Sequence, residues 1–458
     1  METVNQIIED SKTQLLETLQ RWIRIPSLKA AAQEGAPFGA ELRRALDVAL
    51  ADAAALGFAT RNIDAYAGDV RMGPLGVEPL GILAHLDVVP VGDGWTVQPF
   101  DAVVEGDRIL GRGTSDDKGP AVAALFAMHA VRQAGIPLKR EVRLILGCDE
   151  ESGWEDMAYY QAHCDMPKTG FSPDASYPVI NTEKGGLAME LRAPAATDGL
   201  KVRRIAVGER RNVVPGLATA LIEGDADLCE RINSLAREMT LDVEATPAEG
   251  GLLLTATGIN GHAAYPECAR NAIGELLLML RALGVTGPLK TLADAIGLEY
   301  NGLSLGISCS DKTSGPLTCN LGILRYDETG LYAVLDIRYP LLASGERIAK
   351  TVTGALAPDI EATVLSLKGP HHVAPNSPLV TTLLNAYHEE TGRPRECIAT
   401  GGGTYARCLE EGVAFGASFP EDEDVAHQAN EYMLLDSLWQ NVRIIARAIV
   451  MLAGKTED

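Results

Sequence analysis

The sequence predicts an α/β fold with an α+β segment inserted into it. Two apolar runs, PLGILAHL and VRLILGC, read as buried strands. The stretch AVAALFAMHAVRQAG between them has helical spacing, follows the glycine-rich turn GRGTSDDKGP and ends near Gly135. Strand, crossover helix and strand in that order build parallel sheet. From about Gly185 to Leu367 the pattern changes, and candidate carboxylate and histidine clusters become sparse.

Taken in chain order, METVNQIIEDSKTQLLETLQ has apolar residues at helical spacing, and ELRRALDVALADAAALG predicts a second helix before the first buried strand. In the middle region GLLLTATG, LSLGIS and LYAVLDIRYP read as strands alternating with helices such as NAIGELLLMLRALG. The α/β character resumes with SPLVTTLLNAYHEETG, a helix opened by serine and proline and closed by glycine. SLWQNVRIIARAIVMLAG forms the final helix. No internal repeat or low-complexity linker interrupts this order.

Composition narrows the function classes. At 458 residues, 46% of them hydrophobic, the chain is long enough for more than one buried core. Sixty-two acidic against 40 basic residues give a formal charge of −22, which repels phosphate backbones and anionic lipid and argues against nucleic-acid or membrane partners. The N-terminus lacks the basic start and apolar stretch of a secretory signal. The longest apolar run falls short of the roughly 18 residues a membrane span needs. Eight cysteines occur singly with no CxxC pair, so reduced buried thiols and a cytoplasmic location are expected.

The chemistry is carried by two distant histidines, His85 in LAHLDVVP and His427 in DVAHQANEYM, with acidic clusters between them. The clusters hold Asp116 in GRGTSDDKGP, Glu150 and Glu151 in CDEESG, and Asp174 in FSPDASYP. Two imidazoles with several carboxylates suit a pair of divalent cations, because borderline metals take neutral histidine nitrogen together with anionic oxygen. The spacing predicts that Asp87, two strand positions after His85 and hence on the same face, fixes the His85 tautomer. Glu150 and Glu151, read as extended, would point to opposite sides, one toward metal and the other toward the reacting water.

Each of these residues also has a plain alternative. Asp116 can be a helix N-cap, the Glu150–Glu151 pair a charged turn, Asp174 a Pro-Asp turn and His427 part of a solvated acidic loop. His129, His163 and His388 read as ordinary helix residues, and His371 and His372 as part of a strand or its edge. GRGTSDDKG lacks the third glycine of a dinucleotide fingerprint, and neither Ser115 nor Ser152 sits in a GxSxG elbow.

Nine motifs in series, HLDVVPVGDGW, GRGTSDDKGP, DEESG, PDASYPVINTEKG, RNVVPG, DIRYP, GGGTYAR, AFG and AHQANEY, span nearly the whole chain. With these motifs in this order the chain resembles the dinuclear zinc aminoacyl-peptidases, which include peptidase V, carnosinase-type dipeptidases, succinyl-diaminopimelate desuccinylase and acetylornithine deacetylase. The likeness is strongest to the peptidase V branch of Xaa-His dipeptidases. It implies a zinc-peptidase catalytic domain with a mixed, mostly parallel sheet flanked by helices, over residues 1–184 and 368–458. An inserted α+β lid domain for substrate binding would cover 185–367.

Carried onto this sequence, the resemblance makes Asp116 a bridging carboxylate. His85 and Asp174 would complete one metal, and Glu151 and His427 the other. Asp87 would clamp His85, and Glu150 would act as general base toward a water shared by the cations. His262 in GHAAYPE and Asn212 in RRNVVPG would lie near the scissile carbonyl, with Arg338 in DIRYP beside the substrate carboxylate. Gly402 and Gly403 would offer backbone amides from the catalytic domain. A cis peptide is implied after Asp116.

The implied activity is metal-dependent hydrolysis of dipeptides or short peptides with free termini, without a covalent intermediate. Zinc is favoured by ligand type, and manganese or cobalt also suit the site. The size of the insertion predicts a monomer, with a dimer as the alternative. Deacylation of N-acyl amino acids and a non-catalytic binding role on the same fold are the competing readings. Ala429, Ala264 and Tyr265 depart from the commoner residues of the family, the last two beside His262.

Overall fold

The computed structural model describes residues 1–455, which form two compact units. One comprises Met1–Asn181, Val373–Ile398 and the chain from Gly403 onward; the other comprises Thr182–His372 with Ala399–Gly402.

In the first unit the strands run in the order Ala59–Ile63, Ala67–Met72, Val142–Gly147, Leu80–His85, Thr169–Ser172, Glu411–Ala414 and then the strand beginning at Val179. The four middle strands pair in parallel, and the flanking pairs are antiparallel. Both buried strands read from the sequence are present, and Lys118–Gln133 is the crossover helix between them. Apart from Arg143 and the terminal His85 they are apolar, because each face of the sheet is covered. Ile82, Ala84, Leu144 and Leu146 join the large core with the helices Glu2–Ile23, Lys118–Gln133, Pro378–Thr391 and Leu435–Ala453. Leu83 and Ile145 point the other way, into a smaller cluster with Met157, Tyr160 and Tyr405. This is the two-residue alternation of a strand.

The second unit is built on an eight-stranded sheet whose named pairings are all antiparallel, from Val243–Ala248 at one edge to Glu361–Lys368 at the other. The helices Ala226–Met239, Ala272–Ala282, Gly287–Ala295 and Gly345–Leu356 pack into this unit's core. The expected strands in GLLLTATG and LYAVLDIRYP form, but LSLGIS does not. Gly302 and Gly306 take positive φ and the chain closes turns there, with Gly306 N–H donating to Leu303 O and Ile307 N–H to Gly302 O. Leu305 and Ile307 reach the core from these turns, which explains an apolar pattern without a strand.

The C-terminal helix is tied to the segment just before the strand at Val179 by a buried polar contact. The Tyr177 hydroxyl donates to Asn441 Oδ1 at 2.8 Å, while Asn441 Nδ2 donates to the carbonyls of Ala417 and Ser437. Tyr177→Phe leaves that amide oxygen buried without its donor, at a cost of about 1–3 kcal/mol. The expected outcome is a lower denaturation midpoint with unchanged far-UV circular dichroism; an unaltered midpoint would contradict this reading of the contact.

Candidate metal centre

Three ends of parallel strands, where open α/β sheets place their ligand crevices, carry most of the centre. His85 is the last residue of Leu80–His85, in register with Gly147 on the neighbouring strand. Glu150 and Glu151 follow Val142–Gly147, and Asp174 follows Thr169–Ser172. Asp116 lies in the turn that opens the helix Lys118–Gln133, and its peptide bond to Asp117 is cis. His427 arrives on a turn with φ +64°, just before Tyr432–Leu434 pairs with Arg108–Leu110. All the proposed ligands thus belong to the first unit.

The geometry turns on Asp116. Its Oδ1 is 3.0 Å from His85 Nε2 and its Oδ2 is 2.8 Å from His427 Nε2. Asp174 Oδ2 lies 3.6 Å from the same His85 nitrogen, and Glu151 Oε1 lies 2.9 Å from the same His427 nitrogen. Two ligand groups result, His85–Asp116–Asp174 and Asp116–Glu151–His427, each with its donor atoms within 4.8 Å of one another.

The His85 tautomer is set by its other nitrogen. Nδ1 is 2.9 Å from the Asp87 carbonyl oxygen, which can only accept, so Nδ1 carries the proton. The buried Nε2 faces two carboxylates, yet it makes no hydrogen bond to any described residue. A cation between these atoms resolves that conflict, and the donor set of imidazole and carboxylate suits a zinc-like ion. Asp87 does more than hold His85. Its carboxylate accepts the backbone N–H groups of Glu150 at 3.1 Å and Glu151 at 3.0 Å.

Electrostatics point the same way. Burial and the charge of Asp116 push Glu151 up to about 7 and Asp174 up to about 6. Burial and Asp174 push Glu150 well above the usual carboxylate range. Burial works against charge on His427, but Asp116 and Glu151 outweigh it and raise the imidazole to about 11. Crowded carboxylates that lift one another in this way call for added positive charge.

The Glu150–Glu151 pair sits in a turn and not in the extended chain expected. The Trp154 N–H closes this turn on Asp149 O, and Asp156, which sequence reasoning passed over, holds the chain that enters it. Its Oδ2 accepts the N–H groups of Cys148 and Asp149 and the hydroxyl of Tyr405, folding the strand end back. Gly147 is the available signal: a side chain there would meet Asp156 and the Tyr405 ring within 2.6 Å. Asp117 was also missed. Fully buried, it accepts the His85 N–H at 2.9 Å through Oδ2, and its other oxygen has no hydrogen-bonding partner among the described residues.

The remaining candidates lie mostly in the second unit. His262 pairs with Val213 on a short two-stranded ladder, and the Asn212 carbonyl accepts the N–H of Ala263. Asn320 holds the carbonyls of Arg211 and Val213, and Thr318 holds that of Ala263. Across the ladder from these two stand Asp336 and Arg338. His262, Asn212 and Arg338 are thus anchored to one strand pair. The Arg338 guanidinium donates to both oxygens of Asp336, at 2.5 and 3.0 Å, and to Gly401 O. The unit boundary passes between Gly402 and Gly403, and the Gly402 N–H donates to Thr400 Oγ1 at 3.0 Å.

Residues 81–451 match the family described as peptidase family M20/M25/M40. "Putative dipeptidase YtjP" of Bacillus subtilis (strain 168) is 38% identical over 456 residues, covering 96% of this chain and 98% of that protein. Among solved structures, the dipeptidase Dug1p from Saccharomyces cerevisiae superposes with a TM-score of 0.60 at 14% identity, covering 98% of each chain. Human carnosine dipeptidase 1 does so with a TM-score of 0.58 at 14% identity, covering 98% of this chain and 99% of that one. At such identity the structures establish the shared fold. The family expected from the nine motifs is the one found, and the chain belongs to peptidase family M20/M25/M40, which makes it a hydrolase.

Proposed function

We propose that the chain is a metal-dependent dipeptidase whose centre is His85, Asp116, Glu151, Asp174 and His427. The observation that carries this reading is the division of one carboxylate, with the two oxygens of Asp116 serving different histidines. Two divalent cations held there would supply charge that acidifies water and polarises a peptide carbonyl. Zinc is the first choice from the donor set, with manganese or cobalt as alternatives.

Glu150 acts as the general base. It takes a proton from the attacking water and returns it to the departing amine, a role suited to a carboxylate whose affinity for protons is raised by burial and by Asp174. Asp87 holds this base in place through its backbone and keeps His85 in the Nδ1-protonated form. From the second unit we assign His262 and Asn212 to the tetrahedral oxyanion, since both carry N–H donors. Arg338 takes the substrate carboxylate. Its contacts to Asp336 and Gly401 use only part of its five-donor fork. Backbone amides around Gly402 and Gly403 complete the assignment, with Gly402 free to donate once its contact to Thr400 opens. Relatives named as dipeptidases support peptide substrates over N-acyl amino acids. We also propose a monomer acting in the cytoplasm.

Glu150→Gln is expected to lower dipeptide turnover by about 10²–10⁴-fold while bound metal, measured by elemental analysis, stays at the parent level. Loss of metal together with activity would instead make Glu150 a ligand. Chelation should abolish turnover, and added Zn²⁺, Mn²⁺ or Co²⁺ should restore it on dipeptides more than on N-acetyl or N-succinyl amino acids. Preference for the acylated substrates would favour the deacylase reading. Light scattering should give the mass of one chain, and a stable dimer would refute the monomer.

A further inference from the structure

One buried ion pair joins the two segments that carry Asp116 and His427. Glu431 and Arg112 are both fully buried, and Glu431 Oε2 lies 2.6 Å from Arg112 Nη1. The other oxygen, Oε1, accepts three loop amides: Gly113 at 3.0 Å, Ser115 at 2.9 Å and Asp116 at 3.2 Å. Arg112 in turn donates through Nη2 to the carbonyls of Pro90, Val91 and His427, at 3.2–3.3 Å. Glu431 therefore grips the backbone of Asp116, and its partner grips the backbone of His427.

A buried ion pair is weak evidence for stability, because the cost of desolvating both charges offsets their attraction. What distinguishes this pair is where its remaining bonds go. They end on the backbone of the two residues whose side chains meet at Asp116 Oδ2 and His427 Nε2. Within the short turn from His427 to Glu431, both His427 and Asn430 take positive φ. Asn430 accepts the Thr96 N–H at 2.7 Å, so the turn is pinned at a second point.

We infer that Arg112–Glu431 is a positioning pair that sets the affinity of the Asp116–Glu151–His427 group for its cation. This rests on the metal reading of the centre and extends it to residues that touch no ligand. A carboxylate only accepts, so it satisfies three N–H groups and a guanidinium together. A glutamine cannot, because its NH₂ would face either Arg112 or the loop amides. Lysine at 112 keeps the charge but loses the fork that reaches three carbonyls.

The test titrates metal-stripped full-length chain with Zn²⁺ by calorimetry, with Co²⁺ absorption as a second readout and circular dichroism to confirm folding. The parent should take up two cations. In Glu431→Gln one of the two affinities should fall by about 10–100-fold, the range expected when a partner outside the ligand shell is lost, with the other less affected. Arg112→Lys should show a loss at the same cation, and it carries the test should Glu431→Gln fail to fold. Folded variants that bind both cations with parent affinity overturn the inference even if their melting temperatures drop, because that is the behaviour of a merely structural pair. A parent chain that binds no cation overturns the metal reading itself, and the inference with it.

Discussion

Repulsion among half-buried carboxylates is the constraint on which the rest of the first unit depends. Asp116, Glu150, Glu151 and Asp174 converge where burial and one another's charge raise three of them. Asp116 alone is held far below the usual carboxylate range, because against burial it faces both His427 and His85. Such a cluster is unfavourable on its own, and the proposed cations supply the compensation. The fold meets the geometric demand by bringing three strand ends, a helix-opening turn and a C-terminal turn to one place.

The scaffold that holds the cluster is largely made of carboxylates bonded to backbone. Asp87 takes the amides of Glu150 and Glu151, Asp117 that of His85, Asp156 those of Cys148 and Asp149, and Glu431 those of three residues around Asp116. Each fixes a loop by its main chain and leaves the neighbouring side chains free for chemistry. A preorganised site of this kind keeps its geometry through a reaction cycle, which matters when charge must develop in a fixed place.

Much of this was legible in the sequence. Largely apolar runs at 80–85 and 142–147 marked strands covered on both faces, and the helix from 118 needed no more than its spacing and the glycines before it. His85, Asp116, Glu151, Asp174 and His427 were found by residue type and order, and they do converge. Of the supporting carboxylates only Asp87 was legible. Asp117 and Glu431 act through backbone amides distant in sequence, Asp156 through amides one turn upstream of its helix, and their own neighbours look like ordinary turn or helix-start residues. The apolar run LSLGIS misled for a related reason. Periodicity reports burial, and Leu305 and Ile307 are buried from a glycine turn without being paired.

The central claim is that Asp116 stands between two cations. Anomalous diffraction at the zinc edge from crystals of the Zn²⁺-loaded protein tests it most directly. The account predicts two peaks flanking the Asp116 carboxylate, one toward His85 and Asp174 and the other toward His427 and Glu151. A single peak, or two peaks of which either lies away from Asp116, would contradict it.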